Sequence, residues 1–326
     1  MSEPTNTHGP ISWDFTQAPP TSDVADIIGL LNSTPAVLAL MGDNLAANVL
    51  TYKLFQGRIQ APNGAFSVQK SVAQKAGSVS GSTPFGTITP GGAFPLAQTG
   101  ETTPTMESAL KIGAKSIVTF EDVLAYRRNA VDTALRQLSN TYSDAADATS
   151  VATLIADIPA TGSGARAVPG ATTFVGATSA DQVLSPLMTA RAAIKDARLG
   201  FRPNAIVMSE MNAALLASSA PIQTLLALSR ETTTVSDEGS LGKIAGLEVI
   251  TVPTELCIGN AFEHGALVAD VARIGGLAEQ IPLRARSDFN GPNLSPAEAW
   301  VISLAHNFAP YVQNPLAGCW VTGISA

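Results

Sequence analysis

One stretch of the chain, Thr119 to about Asp147, keeps a helical alternation of apolar and polar positions without interruption. Phe120, Leu124, Val131, Leu135, Leu138 and Tyr142 are spaced to form a single apolar stripe on an α-helix. Thr119 and Asp122 have the spacing of a capping box, which sets the start. Asp132 and Arg136 are placed for an i,i+4 pair, and no Gly or Pro occurs between Ile117 and Ile158. At 1.5 Å per residue the predicted helix runs roughly 40 Å, long for a compact domain.

Shorter patterns surround it. Ser179 to Leu199 predicts a second amphipathic helix, with Val183, Leu184, Leu187, Met188 and Ile194 inward and Gly200 as its left-handed stop. Strands are expected at about Ala109–Val118, Asn204–Met208, Leu247–Val252 and Ala266–Asp270, with a helical region over Glu210–Leu228 broken at Pro221. Leu277–Arg286 and Ala299–Phe308 alternate as two long strands of a hairpin, joined by a turn-rich tip over Ser287–Pro296. From Asp23 to Leu50 the apolar clusters predict short helical turns. Residues 56 to about 106, rich in Gly, Ser, Thr and Pro, predict a long two-stranded excursion. A hairpin of that kind is marginal in water alone, so it is expected to lie on a neighbour. Residues 1–22 hold Pro4, Pro10, Pro19 and Pro20 around Trp13 and Phe15, the composition of an extended arm.

Composition changes the picture in one respect. The chain is 45% hydrophobic but only 14% charged, against a usual charged share of about a quarter. So thin a coat of charge points to a surface largely covered by protein contacts. The net charge of −7 argues against electrostatic wrapping of nucleic acid. No apolar run approaches the roughly 20 residues of a membrane span, and the N-terminus has no signal-peptide pattern, so a cytoplasm-like compartment is expected.

Candidate chemistry is sparse. Cys257 and Cys319 lack metal or disulfide spacing and read as small buried hydrophobes. Gly162, Gly164 and Ala167 imitate a dinucleotide fingerprint, but Pro159 and Pro169 stand where its strand and helix belong. A soluble hydrolase using His264, His306 or His8 with Asp270 is the alternative of another class; no nucleophile elbow or zinc-binding helix supports it. No cofactor or metal is expected, and no catalytic residue is assigned.

Three stretches carry a resemblance. Thr99 to Pro104, through Ala109–Lys115, to Thr119–Asp122 is similar to the return from an extended loop into a spine helix. Arg202–Ser209 resembles the strand that opens an axial-domain core. Ile244–Ile250 followed by Gly265–Asp270 resembles a glycine-then-strand pair. Together, over about residues 50 to 320, the chain resembles a major capsid protein of tailed bacteriophages with the Hong Kong 97-like fold. The fold class so implied is α+β, with an N-terminal arm, an extended β-hairpin loop, a peripheral domain built on a long spine helix and a long β-hairpin, and a mixed α/β axial domain.

The resemblance assigns residues 1–50 to the arm, 51–118 to the extended loop and its flanking strands, and 119–175 to the peripheral domain with the spine. It assigns 176–275 to the axial domain, 276–311 to the peripheral long strands and loop, and 312–326 to a C-terminal return to the axial domain. It implies a structural role rather than an enzyme: pentamers and hexamers closing an icosahedral head around double-stranded DNA, without sequence-specific contact and without a membrane. A separate scaffolding protein, a portal and decoration proteins are implied partners, with assembly in the host bacterial cytoplasm and residence in the virion. An encapsulin-like nanocompartment shell is the alternative within the fold. Contact candidates are Arg58, Lys70, Lys75, Glu121, Arg127, Arg128, Arg136, Asn290 and Asn293. Some members of the family join a loop lysine to a neighbour's asparagine, and the residue types for it are Lys70 or Lys75, Asn290 or Asn293, and Glu298 as base.

Overall fold

The computed structural model describes residues 23–70, 104–223, 241–289 and 298–325, apart from positions 38, 40, 42–44, 46–48, 127, 163 and 198, together with 234–235. Arm residues 1–22 and loop residues 71–103 lie outside these, as does the hairpin tip from 290 to 297.

The long helical period is realised in two spans, α3 (Phe120–Tyr126) and α4 (Arg128–Asp157), after α1 (Asp23–Leu31) and α2 (Leu50–Leu54). The capping box forms: the Thr119 hydroxyl donates to Asp122 Oδ2 at 2.6 Å, and the Asp122 amide donates back to Thr119 Oγ1 at 3.1 Å. The helix outlasts its expected end by ten residues, consistent with the absence of any breaker before Ile158. Val131, Leu135, Leu138 and Tyr142 are buried as the stripe predicts. Leu124 is not: it stands 52% exposed while Val123 is fully buried, because the face shifts within the first turn.

Two larger sheets and a two-stranded ribbon hold the described strands. A four-stranded sheet has the order β1-β11-β12-β4, with β1 (Gly57–Gln60), β4 (Leu110–Thr119), β11 (Gly275–Phe289) and β12 (Ala299–Val312). The expected hairpin is β11–β12, antiparallel from Gly275↔Val312 to Phe289↔Trp300, and β12 pairs onward with β4. α4 packs across the inner face of this sheet. A two-stranded ribbon, β2 (Ala65–Val68) with β3 (Thr105–Ser108), forms the described base of the excursion.

The second sheet has seven strands: β5 (Ala167–Pro169), β6 (Ala205–Ser209), β7 (Thr234–Val235), β8 (Leu241–Ile244), β9 (Leu247–Val252), β10 (Gly265–Ala269) and β13 (Gly318–Thr322). Their order is β5-β13-β10-β6-β9-β8-β7, covered by α5 (Ala180–Lys195) and α6 (Glu210–Ser218). Gly200 has φ +76° as expected of the stop after α5, and Val183, Leu187 and Ile194 are buried, whereas Met188 is 44% exposed. β6 and β10 are buried at every position, which explains their unbroken apolar runs.

The stretch that imitates a dinucleotide fingerprint runs into the edge strand β5, paired with β13 and ending at Pro169, where the missing N–H is tolerated. Gly162 and Gly164 sit at φ +89° and +82° and lead into that strand rather than a helix, so the fingerprint has no phosphate-binding turn. Ile27, Leu31, Val37, Met41, Leu45 and Val49 belong to the main core.

Candidate functional site

A chain of polar side chains joins the long helix to the four-stranded sheet and to the base of the excursion. Tyr142 on α4 shares a 2.7 Å hydrogen bond with His306 Nδ1 on β12, and its hydroxyl lies 3.2 Å from that of Tyr52 on α2. Arg58 on β1 donates to Glu279 Oε1 on β11 at 2.6 Å and also covers the Tyr52 ring, 4.9 Å from its centroid. The His306 ring is 1% exposed, and its Nε2 faces Glu279 Oε1 at 3.7 Å, beyond hydrogen-bond reach; it has no partner among the described residues. Burial, and secondarily the Arg58 charge, pushes the imidazole down to about 4, so it is neutral at pH 7. Stacking on Phe308, 4.5 Å between centroids, fixes the ring plane. Five elements thus meet at one buried neutral histidine.

A second polar joint lies nearer the helix end. Asp147 on α4 accepts from the amides of Leu50 and Thr51, at 3.2 and 2.8 Å, and from the Thr51 hydroxyl at 2.9 Å. It caps α2 from outside, since Val49 has no side chain that could do so. Burial raises this carboxyl and the Thr51 and Leu50 donors oppose the rise. At the last residue of the helix, Asp157 pairs with Lys70, just after β2. Glu107 on β3 is pushed up first by burial and then by the Asp157 charge, with Lys70 pulling the other way. The helix ends on the seven-stranded sheet, where the fully buried Trp320 donates from Nε1 to the Ile158 carbonyl at 2.6 Å.

The residues expected at contacts divide accordingly. Arg58 and Lys70 have partners within the subunit, Glu279 and Asp157. Glu121 and Arg136 are exposed. Arg128 lies in α4, while Arg127, Lys75, Asn290 and Asn293 lie outside the described residues. Glu298 is exposed, and its carbonyl receives the Phe120 amide at 2.8 Å where the hairpin meets the helix start. Cys257 and Cys319 are free and buried, as expected.

The residues named for a hydrolase do not converge. His264 Nδ1 is 3.2 Å from Ser325 Oγ, but that hydroxyl donates to the Glu263 carbonyl at 2.9 Å, so no base withdraws its proton. Asp270 accepts instead from the Arg202 amide at 2.7 Å. His8 lies outside the described residues. Among the described residues no group of His, Cys, Asp and Glu is placed to hold a metal ion, and no helix is long and apolar enough to cross a membrane.

What the arrangement can do is mechanical: it fastens a long helix to two sheets and, through Lys70, to the end of the β2–β3 ribbon. The comparisons agree with that reading. Residues 101–321 match the family described as phage capsid protein. The fold is similar to that of a virus-like particle from Pyrococcus furiosus, at 11% identity and TM-score 0.55, covering 87% of this chain and 96% of that one. It is also similar to a protein of Microbacterium phage Oxtober96, at 14% identity and TM-score 0.53 over 84% of this chain and 91% of that one. A third likeness is to the capsid of cyanophage P-SCSP1u, at 12% identity and TM-score 0.52 over 82% and 86%. No curated protein matches.

Proposed function

The chain belongs to the phage capsid protein family, and from that premise we propose that it is the major capsid subunit whose pentamers and hexamers close an icosahedral head around double-stranded DNA. It is a capsid shell protein with the Hong Kong 97-like fold. The observation that carries the finer reading is the long helix α4, bonded to one sheet through Tyr142 and to the other through Trp320. A flat subunit loaded along its length by neighbours needs such a spine; a globular enzyme does not.

In this reading residues 119–175 and 276–311 are the peripheral domain, 176–275 and 312–326 the axial domain, 51–118 the extended loop and its strands, and 1–50 the arm. Identical copies make heterologous contacts that close into rings and a shell. DNA is enclosed without being read, in keeping with the net charge of −7. A separate scaffold, a portal and decoration proteins act with it during assembly in the host bacterial cytoplasm, and it ends in the virion. Its part is structural, with no catalytic step.

A cargo-holding shell is the second reading, favoured by the likeness to the Pyrococcus furiosus particle. Negative-stain images and light scattering of the purified protein test the proposal. Shells, tubes or capsomers are expected; a monomer persisting at high concentration overturns it. Nuclease-protected DNA in particles from infected cells separates the head from a cargo shell.

A further inference from the structure

The outer face of the four-stranded sheet, opposite the one α4 covers, concentrates cations in an acidic chain. Lys115 on β4, Ser303 on β12 and Arg286 on β11 are directly opposite one another in register, so all three share that face. One row further along are Gly113, Ala305 and Arg284, and beyond them Lys111 and Asn307. Lys111, Lys115, Arg284 and Arg286 are all exposed, whereas the alternate β12 residues Ile302, Leu304 and His306 face the core. The floor between the two cationic rims is small, made by Ser303, Ala305 and Gly113; the rims stand about 10 Å apart, two strand spacings. Asp288, paired with Arg286 at 2.7 Å, is the one anion that the described residues of β4, β11 and β12 place on this face, so these five side chains sum to a net charge near +3 (four cations less one anion). Ile117, 47% exposed and two residues from Lys115, adds an apolar end.

The opposite character occurs on the seven-stranded sheet. A groove of about 410 Å³ between α6, the turn after β9 and Ser325 near the C-terminus has Met211, Ile258 and Val175 exposed at 60%, 72% and 70%. Glu263 lines it, its Oε2 accepting from the Gly259 amide at 2.7 Å, and the exposed Glu210 and Glu255 are next in sequence to the lining residues Met211 and Thr254. Glu210 and Glu263 are close enough for their charges to add to burial in raising the Cys257 thiol beneath them.

We infer that the cationic strip of one copy docks on this acid-rimmed groove of a second copy, Lys111, Lys115, Arg284 and Arg286 facing Glu210, Glu255 and Glu263, with Ile117 against Met211 and Ile258. The two surfaces lie on different sheets, so the contact is heterologous and propagates from copy to copy, as a ring or shell requires. Charge sets its register and encounter rate, and the apolar centre supplies its adhesion. The inference deepens the shell reading and rests on it.

Charge exchange tests it in the full-length protein. One variant carries Lys115→Glu with Arg286→Glu, a second carries Glu255→Lys with Glu263→Lys, and both pairs are exposed, so melting curves should match the unmodified chain. Each variant alone should lose at least tenfold in assembled mass by sedimentation, and a 1:1 mixture, in which each altered surface meets its complement, should recover most of it. Normal assembly of the strip variant overturns the inference, as does a mixture that fails to recover. Normal particles that retain less DNA would make nucleic acid the partner of the strip and equally overturn it. The mixture is read as small complexes or as shells alike: if the unmodified protein forms no shells, the shell reading falls while sedimentation of the mixture still decides this contact.

Discussion

Tyr142 and His306, 164 residues apart in sequence, meet through a 2.7 Å hydrogen bond that fixes the middle of the long helix to the second strand of the long hairpin. Burial keeps this imidazole neutral, and this sets a pH dependence. The folded-state value near 4 lies below the ordinary 6.5, so the unfolded chain binds the proton first. Stability from this group is whole above about pH 6.5 and is lost as pH falls toward 4, by about 3 kcal/mol in total. Denaturant unfolding of dissociated subunits at pH 7 and pH 4.5 should show the loss, and His306→Phe should flatten the difference. An equal slope in that variant would assign the pH dependence to other groups.

Asp147→Ala should cost about 2–4 kcal/mol, since it leaves the buried start of α2 and the Thr51 hydroxyl without their acceptor. Asp147→Asn keeps one acceptor oxygen and should lose less. Urea midpoints of the two variants against the unmodified subunit give the order.

Gly275 permits no side chain. A Cβ there would lie 1.9 Å from the Tyr311 carbonyl oxygen, across the closest approach in the β11–β12 ladder. Gly275→Ala should therefore fail to accumulate as soluble subunit or lose more than about 3 kcal/mol. Gly29→Ala is the contrast: the position is inside α1 with nothing within 4 Å, and substitution should stabilise by about 0.5–1 kcal/mol. Thermal melts of the pair read both signs.

Lys70 is held by Asp157 in its own subunit. Shells boiled in detergent are expected to run as one band at monomer mass, unchanged by Lys70→Arg. A ladder of multimers in the unmodified protein that vanishes in the variant would show that this lysine leaves Asp157 to form an inter-subunit bond.

The parts of this fold legible in the sequence are those whose signal is local. The capping box at Thr119, the stripe from Val131 to Tyr142 and the strand Leu247–Val252 each contain their own pattern, and the structure returns them with little change. β13 escaped notice because five residues, Gly318 to Thr322, become a strand only through partners at β10 and β5 far back in the chain. The polar joints were invisible for the same reason. Tyr142 reads as one more apolar position on its stripe, and His306 as an isolated histidine; only register on the sheet brings them to Glu279 and Arg58. Arg58 and Lys70 were legible as functional residue types, but nothing local shows that their carboxylate partners lie at Glu279 and Asp157.

From Tyr142 to Asp157 the spine spans fifteen residues, roughly 22 Å at the rise of an α-helix. With Tyr142 pinned to one sheet and the Ile158 carbonyl pinned by Trp320 to the other, the span acts as a lever with a fixed fulcrum. A tilt of one degree about Tyr142 carries the far end about 0.4 Å, a sizeable part of the tolerance of a hydrogen bond. Angular play between the two sheets is therefore limited to a few degrees before the Trp320 bond must break. That limit sets how much curvature a single subunit can absorb when its neighbours in a shell press on it.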